Sequence, residues 1–298
     1  MISTRKEQRY ICGIFTRVSH RWRLAALSIC RGLDIHLANA HKTKLLSGWL
    51  LRNGSDVQHL RLRCRTNPLP LLSILPTSTP QLKSLRLAGL NYLVEPMPSE
   101  AVAAWGALSS LTSLEVDTLS NLAPALTQLP NLVELSVTAS IIYQGSILVV
   151  YAMPRLQVLR LPVCAGCYQG YTLTKHELNV LRSMQQLQHV DNIRIDSADL
   201  SHPFVISKCY PSVQVVISSV DRARDIAEWV QRGGGQHVTT LCIMRSLGIS
   251  KPSIPQCSGF TFLRSLELHG LDLSSGLQQL RELTQLTHLK MDNCSPSI

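Results

Sequence analysis

No uninterrupted apolar run in this chain approaches the ~18 residues a membrane-crossing helix needs, so no membrane span is expected. A leading apolar stretch with a cleavage site is also missing, so no secretory leader is expected. Aromatic residues make up only 5% of the chain. In residues 1–65 they are Tyr10, Phe15, Trp22 and Trp49 alone, too few for a base-stacking platform, and nucleic acid is not an expected partner. The nine cysteines are odd in number and follow no framework spacing. That excludes a disulfide scaffold and suits a reducing, intracellular location, cytoplasmic or nuclear. The sequence has no phosphate-binding glycine loop, dinucleotide fingerprint, H-E-x-x-H or G-x-S-x-G. Cys164-x-x-Cys167 is a lone pair, and His176, nine residues on, falls outside zinc-ligand spacing. The histidines are dispersed and follow no carboxylate pattern. No enzymatic activity, cofactor or metal is therefore expected.

Acidic residues are scarce at one end. Residues 1–65 hold 13 Lys and Arg against Glu7, Asp34 and Asp56, a net of 13 − 3 = +10. The remaining residues hold 16 of each sign, so the whole net charge of +10 belongs to the N-terminal piece. A solvated basic helix face, an acidic protein partner, and a targeting or nucleic-acid segment each fit that asymmetry.

What the chain does have is a recurring apolar phrase. It reads Leu286-x-x-Leu289-x-Met291-x-x-Cys294 in one copy. Elsewhere its core is Val57/Leu60/Leu62, Leu82/Leu85/Leu87, Leu111/Leu114/Val116, Leu132/Leu135/Val137, Leu156/Leu159/Leu161, Val238/Leu241/Ile243 and Leu263/Leu266/Leu268. Two looser copies start at Leu187 and Val213, which puts Ser218 in an apolar slot. The spacing runs from 21 residues (Leu111 to Leu132) to 31 (Leu156 to Leu187). The last two apolar positions of the phrase are two apart and share one face of a short strand, while the first lies on the turn entering it. A further apolar residue sits three before the phrase at Leu108, Leu129, Met153, Met184, Phe260 and Leu283. One unit cannot close a core, but stacked units bury a ladder of side chains, each contributing about 1.5–3 kcal/mol.

This pattern resembles a leucine-rich repeat array. The resemblance implies an α/β fold: a right-handed horseshoe solenoid with a parallel concave β-sheet, and helices and irregular loops on the convex side. About ten repeats would fill residues 33–298, with Leu33–Leu37 as an irregular opening strand preceding Leu60/Leu62 by 25 residues. Residues 1–32 would be a basic N-terminal helical cap, carrying Ile11, Phe15, Val18, Trp22, Ala25 and Ile29 at helical spacing. Further helices are expected around Leu45, Leu46, Trp49 and Leu50, after a cap at Ser99, after the Thr174-x-x-Glu177 capping box, and from Asp221 to a stop at Gly233-Gly234-Gly235. The copies from Leu187 to Ile195 and from Val213 to Ser218 are the least regular, and the sheet is expected to bend or bulge there.

The string Val18-Ser19-His20-Arg21-Trp22-Arg23 resembles the C-terminal half of an F-box. In that family the segment packs against the adaptor Skp1, and leucine-rich repeats commonly follow as the substrate-binding part. The resemblance implies adaptor contacts at Phe15, Val18, Arg21 and Trp22, and a substrate receptor for an SCF-type ubiquitin ligase. A helical cap without adaptor binding, on a plain interaction scaffold, is the alternative.

Leucine-rich repeat arrays usually bind proteins, so a protein partner is expected on the concave face. Period-two alternation puts the residues between the leucines on that face. Its charged members include Arg61, Arg63, Arg86, Glu115, Asp117, Glu134, Arg160, Glu267 and Lys290, with Asp292 beside them. Arg61, Arg63 and Arg86 form a basic patch beside acidic Glu115, Asp117 and Glu134. Cys242 and His269 are expected exposed in the same rows. Leu286, Leu289 and Met291 are expected to be less covered than Leu132, Leu135 and Val137.

Overall fold

The structure, a computed structural model, describes residues 31–90, 93, 96–138, 146–162, 172–202, 212–219, 223–246, 248–255, 257, 259–274 and 277–295. The chain divides into two units, residues 1–137 with 152–156, and residues 138–151 with 157–298.

In the first unit the repeated phrase becomes strands β1 (Gly32–Leu37), β2 (His59–Cys64), β3 (Ser84–Ala88), β4 (Ser113–Val116) and β5 (Glu134–Val137). Each pairs in parallel with the next. Leu60, Leu85, Leu114 and Leu135 lie in one row and Leu62, Leu87, Val116 and Val137 in the next, all buried. The same two devices join each copy to its neighbour. The residue three before the phrase closes an entry turn, as in Val57 N–H to Gly54 O, Leu82 to Thr79 and Leu111 to Leu108, at 3.0–3.1 Å. Just before the strand, one carbonyl accepts two N–H groups from the following copy. Gln58 O takes Lys83 and Ser84, Lys83 O takes Thr112 and Ser113, and Thr112 O takes Val133 and Glu134. The backbone polar groups of each entry turn are thus satisfied by the adjoining repeat, as burial requires. This is a leucine-rich-repeat-like architecture.

Helix α1 (Ala40–Asn53) is capped by Asn39, whose side chain accepts from Lys42 N–H. It buries Leu46 and Leu50 and leaves Leu45 exposed. Helix α2 (Ser99–Ala104) starts at Ser99 rather than after it. Pro98 fills the cap position and no side-chain cap bond forms. The opening strand pairs Leu33 with Leu60 and Ile35 with Leu62, an offset of 27 residues and not 25. The error is an even number, so the predicted faces survive it.

The second unit contains β6 (Val158–Arg160) paired with β7 (His189–Asp191), and a sheet of β8 (Ile193–Asp196), β9 (Ser212–Ile217), β10 (Thr240–Arg245), β11 (Ser265–His269) and β12 (His288–Asp292). Its strands are also parallel. The irregular copy at Leu187 yields two strands, because Asn192 takes a left-handed backbone (φ 59) between β7 and β8. Asparagine tolerates that region better than most residues, and its amide donates to Leu161 O at 2.9 Å. β7 pairs with β6 and β8 with β9, so the expected bend is a break at one residue.

The Val213 copy needs a correction. Val213 pairs with Leu241 and Val215 with Ile243, so Val213 is the second apolar position of its phrase, not the first. Ser218 therefore occupies no core slot. It follows the strand, and its hydroxyl donates to Asp196 at 2.7 Å. The misreading arises because Val213, Val215, Val216 and Ile217 are all buried, so either spacing fits.

Helix α3 (Lys175–Ser183) carries the complete Thr174/Glu177 capping box. Helix α4 (Ala223–Gln231) ends in a turn where Gly233 N–H meets Val230 O and Gly234 N–H meets Trp229 O. Trp229 packs edge-on against Phe260, centroids 5.7 Å apart. Asp221, the expected cap of α4, lies outside the described residues. Among the described residues no helix is long and apolar enough to cross a membrane.

Candidate functional site

The strands present a second face, opposite the leucines, and in β2–β5 it is partly open to water, as alternation requires. Register determines which charges meet there. Asp34 lies opposite Arg61 and contacts both Arg61 (3.9 Å) and Arg63 (3.6 Å). Arg86 lies opposite Glu115 and pairs with it at 2.7 Å. Glu134 accepts from Ser113, its register partner, at 3.4 Å. The basic patch on β2 and β3 thus meets the acidic patch through the Arg86–Glu115 pair, while Arg61 and Arg63 are matched by Asp34 on β1. Exposed pairs of this kind contribute about 0–1 kcal/mol each, so their main effect is to orient side chains on the face. Asp117 has a different task. It sits just past β4, and its carboxylate accepts from the backbone N–H groups of Gly89 and Leu90. That braces the turn leaving β3, where Gly89 has φ 87 and a Cβ would press on Cys64 O.

In the second unit Arg160 pairs with Asp191, its register partner, at 3.2 Å. Lys290 lies opposite Glu267 and contacts Glu267 (3.9 Å) and Asp292 (3.1 Å). The hydrogen bond to Asp292 raises the pKa of Lys290 above its ordinary value.

Two residues expected on an exposed face are buried, Cys242 at 6% and His269 at 2% exposure. The cause is local packing. Val216, Cys242 and Met244 form an apolar cluster on the face opposite the leucines, and Arg194 and Gln214 on the same face are also buried. His269 lies between two carboxylates, with Nε2 3.3 Å from Glu267 and Nδ1 3.4 Å from Asp292. The donor atoms of Cys242, Glu267 and His269 all fall within 4.8 Å of one another. Among the described residues this is the one group of three or more such donors that could hold a metal ion. Glu267 and His269 are two apart on β11, but the third member, Cys242, lies 25 residues earlier on β10, opposite Glu267. Stacking the copies strand by strand would have shown Cys242, Glu267 and Lys290 in one row and His269 beside Asp292 in the next.

The adaptor-contact residues Phe15, Val18, Arg21 and Trp22 lie outside the described residues, as do Cys164 and Cys167.

No family model matches the chain, and no curated protein matches it. Among solved structures it is similar to one titled "Crystal structure of TLR13-ssRNA13 complex", at 16% identity and a TM-score of 0.39. The match covers 82% of this chain and 37% of that one.

Proposed function

We propose that this chain is a non-catalytic protein-recognition module that reads its partner with the polar face of its parallel strands. The reading keeps that face as the concave one, with Arg61, Arg63, Arg86, Glu115, Glu134, Arg160, Glu267 and Lys290 as its contact residues. The observation that carries it is the row Arg61–Arg86–Glu115, three partly open charged side chains held in register across β2, β3 and β4. A surface of ordered, mixed charge sets partner choice and encounter rate more than fold stability. Cys64, Cys242, Cys257 and Cys294 are held in no disulfide, which suits work in a reducing compartment.

The finer reading is a substrate receptor in an SCF-type ligase, with Phe15, Val18, Arg21 and Trp22 docking a Skp1-like adaptor. It rests on sequence resemblance alone. A scaffold without ligase attachment is its rival.

The Arg86–Glu115 pair provides a test. Exchanging the two residues, Arg86→Glu with Glu115→Arg, retains the intramolecular pair but inverts the local field. Partners are first captured by crosslinking to the wild-type chain and identified. Loss of those partners in the exchanged variant, with unchanged thermal stability, supports recognition by this face, and full retention removes it from the interface. Val18→Glu and Arg21→Glu address the adaptor separately. Wild-type capture of Skp1 that both variants abolish supports the receptor, and no wild-type capture leaves the scaffold.

A further inference from the structure

The cluster on β10, β11 and β12 is chemically unlike the rest of the polar face. It combines a thiol, an imidazole and two carboxylates, whereas the other clusters of this face hold guanidinium–carboxylate pairs. We propose that Cys242, Glu267 and His269 form a binding site for a single Zn²⁺ ion, with Asp292 orienting the histidine.

The donor set argues for zinc. Thiolate and imidazole favour a borderline-soft ion such as Zn²⁺, whereas Mg²⁺ and Ca²⁺ favour oxygen alone. Ligand atoms on a tetrahedral zinc, bonded at about 2.0–2.3 Å, sit about 3.3–3.8 Å from each other. Nε2 of His269 is 3.3 Å from Oε2 of Glu267, the spacing of two ligands on one ion. Cys242 lies opposite Glu267 in register, and its sulfur is within 4.8 Å of both other donors. Small side-chain rotations close that distance while the sheet stays fixed. The second nitrogen is also provided for. Nδ1 of His269 faces Asp292 at 3.4 Å, the carboxylate–histidine arrangement that fixes which ring nitrogen binds the metal. Three protein ligands leave a fourth position for water or for a donor from a bound partner.

Access and charge fit as well. His269 and Cys242 are buried, but the Glu267 side chain is 28% exposed, which leaves a route from solvent. Cys242 would lose its thiol proton on binding. The Lys290 ammonium, near Glu267 and Asp292, competes with the ion for the same carboxylates. This makes a sharp prediction, because a merely structural cluster would not gain metal affinity when Lys290 is removed.

The full reduced chain, stripped of metal, is titrated with Co²⁺ and the cobalt is then displaced with Zn²⁺. The site predicts one equivalent of Co²⁺ with a near-ultraviolet thiolate charge-transfer band. The band should persist in a Cys164→Ser/Cys167→Ser double variant and vanish in Cys242→Ser. Because Cys242 is buried, partly exposed Glu267 provides a variant safer for folding. Glu267→Gln should weaken binding at least about tenfold, Asp292→Asn about 10–100-fold, and Lys290→Met should tighten it. No band in the wild type, a band that survives Cys242→Ser, or affinities unmoved by both Glu267→Gln and Lys290→Met would each overturn the proposal. The readout is metal binding alone, so it stands or falls independently of partner recognition.

Discussion

Strands β2–β5 and strands β8–β10 carry the same phrase and the same parallel pairing, yet they bury different amounts of themselves. In β2–β5 every second side chain is buried and the others are partly or fully exposed. In β8–β10 nearly every residue is buried, on both faces. A strand covered on one side announces its register through alternation, while one covered on both reads as a continuous apolar run and hides it. The apolar cluster of Val216, Cys242 and Met244 accounts for part of the difference. It also places the thiol and imidazole of the proposed zinc site in a low-water setting that β2–β5 lack.

The comparison is broken most directly by placing a charge on the same face of each region. Val216→Asp buries a carboxylate among apolar neighbours and should cost about 4 kcal/mol. Ser84→Asp, on the open face of β3, should stay within about 0.5 kcal/mol. Denaturant midpoints of the two variants decide the matter, and equal midpoints would mean that β8–β10 are as open as β2–β5.

A smaller effect separates covered leucines from uncovered ones. Leu135 is fully buried, whereas Leu289 and Met291 are 44% and 46% exposed. Leu135→Ala should cost about 3 kcal/mol through lost contacts and a cavity, and Leu289→Ala less than about 1 kcal/mol. Similar losses in urea melts would show Leu289 covered in solution.

Next comes the turn leaving β3. Gly89→Ala forces an L side chain into a positive φ and against Cys64 O, at about 2 kcal/mol. Gly48→Ala, inside α1 with open space around it, should instead stabilise by about 0.5–1 kcal/mol. A neutral Gly89→Ala would place the turn elsewhere.

The smallest effect is on reactivity and sets the regions level. Burial pushes the thiol of Cys64 up to about 11, with Asp117 adding to the shift, and burial alone pushes Cys257 up to about 12. A raised pKa leaves less thiolate at any given pH. At pH 8 only about one thousandth of Cys64 and one ten-thousandth of Cys257 is ionised. Both should resist maleimide in the folded chain and gain reactivity about tenfold per pH unit. Rapid labelling of Cys257 at pH 8, followed by peptide mapping, would contradict its burial.

Much of this arrangement was legible in the residues themselves. The L-x-x-L-x-L copies located the strands, and the apolar residue three before several of them, such as Leu108, located the entry turn. Thr174 and Glu177 located a helix start because both halves of a capping box are local. The misses have different physical causes, some local and some set by another copy. Val213 was read one slot too early because its strand is apolar on both faces. Ser99 lost its cap role to Pro98. His269 has Glu267 two residues before it on one strand face, but its second carboxylate, Asp292, reaches it only across β11 and β12. The polar face of β2–β5 was foreseeable position by position, but the cross-strand ion pairs on it needed the register.

The doubly accepting carbonyls of Gln58, Lys83 and Thr112 carry a consequence for how such a chain changes over generations. Each joint between copies offers one oxygen on one side and two successive amides on the other, whatever the side chains. A whole copy inserted or excised between β2 and β5 would meet the same joint above and below it. The currency of change in this region is therefore the repeat. Length can grow or shrink in whole copies, while single residues within the bracket stay constrained.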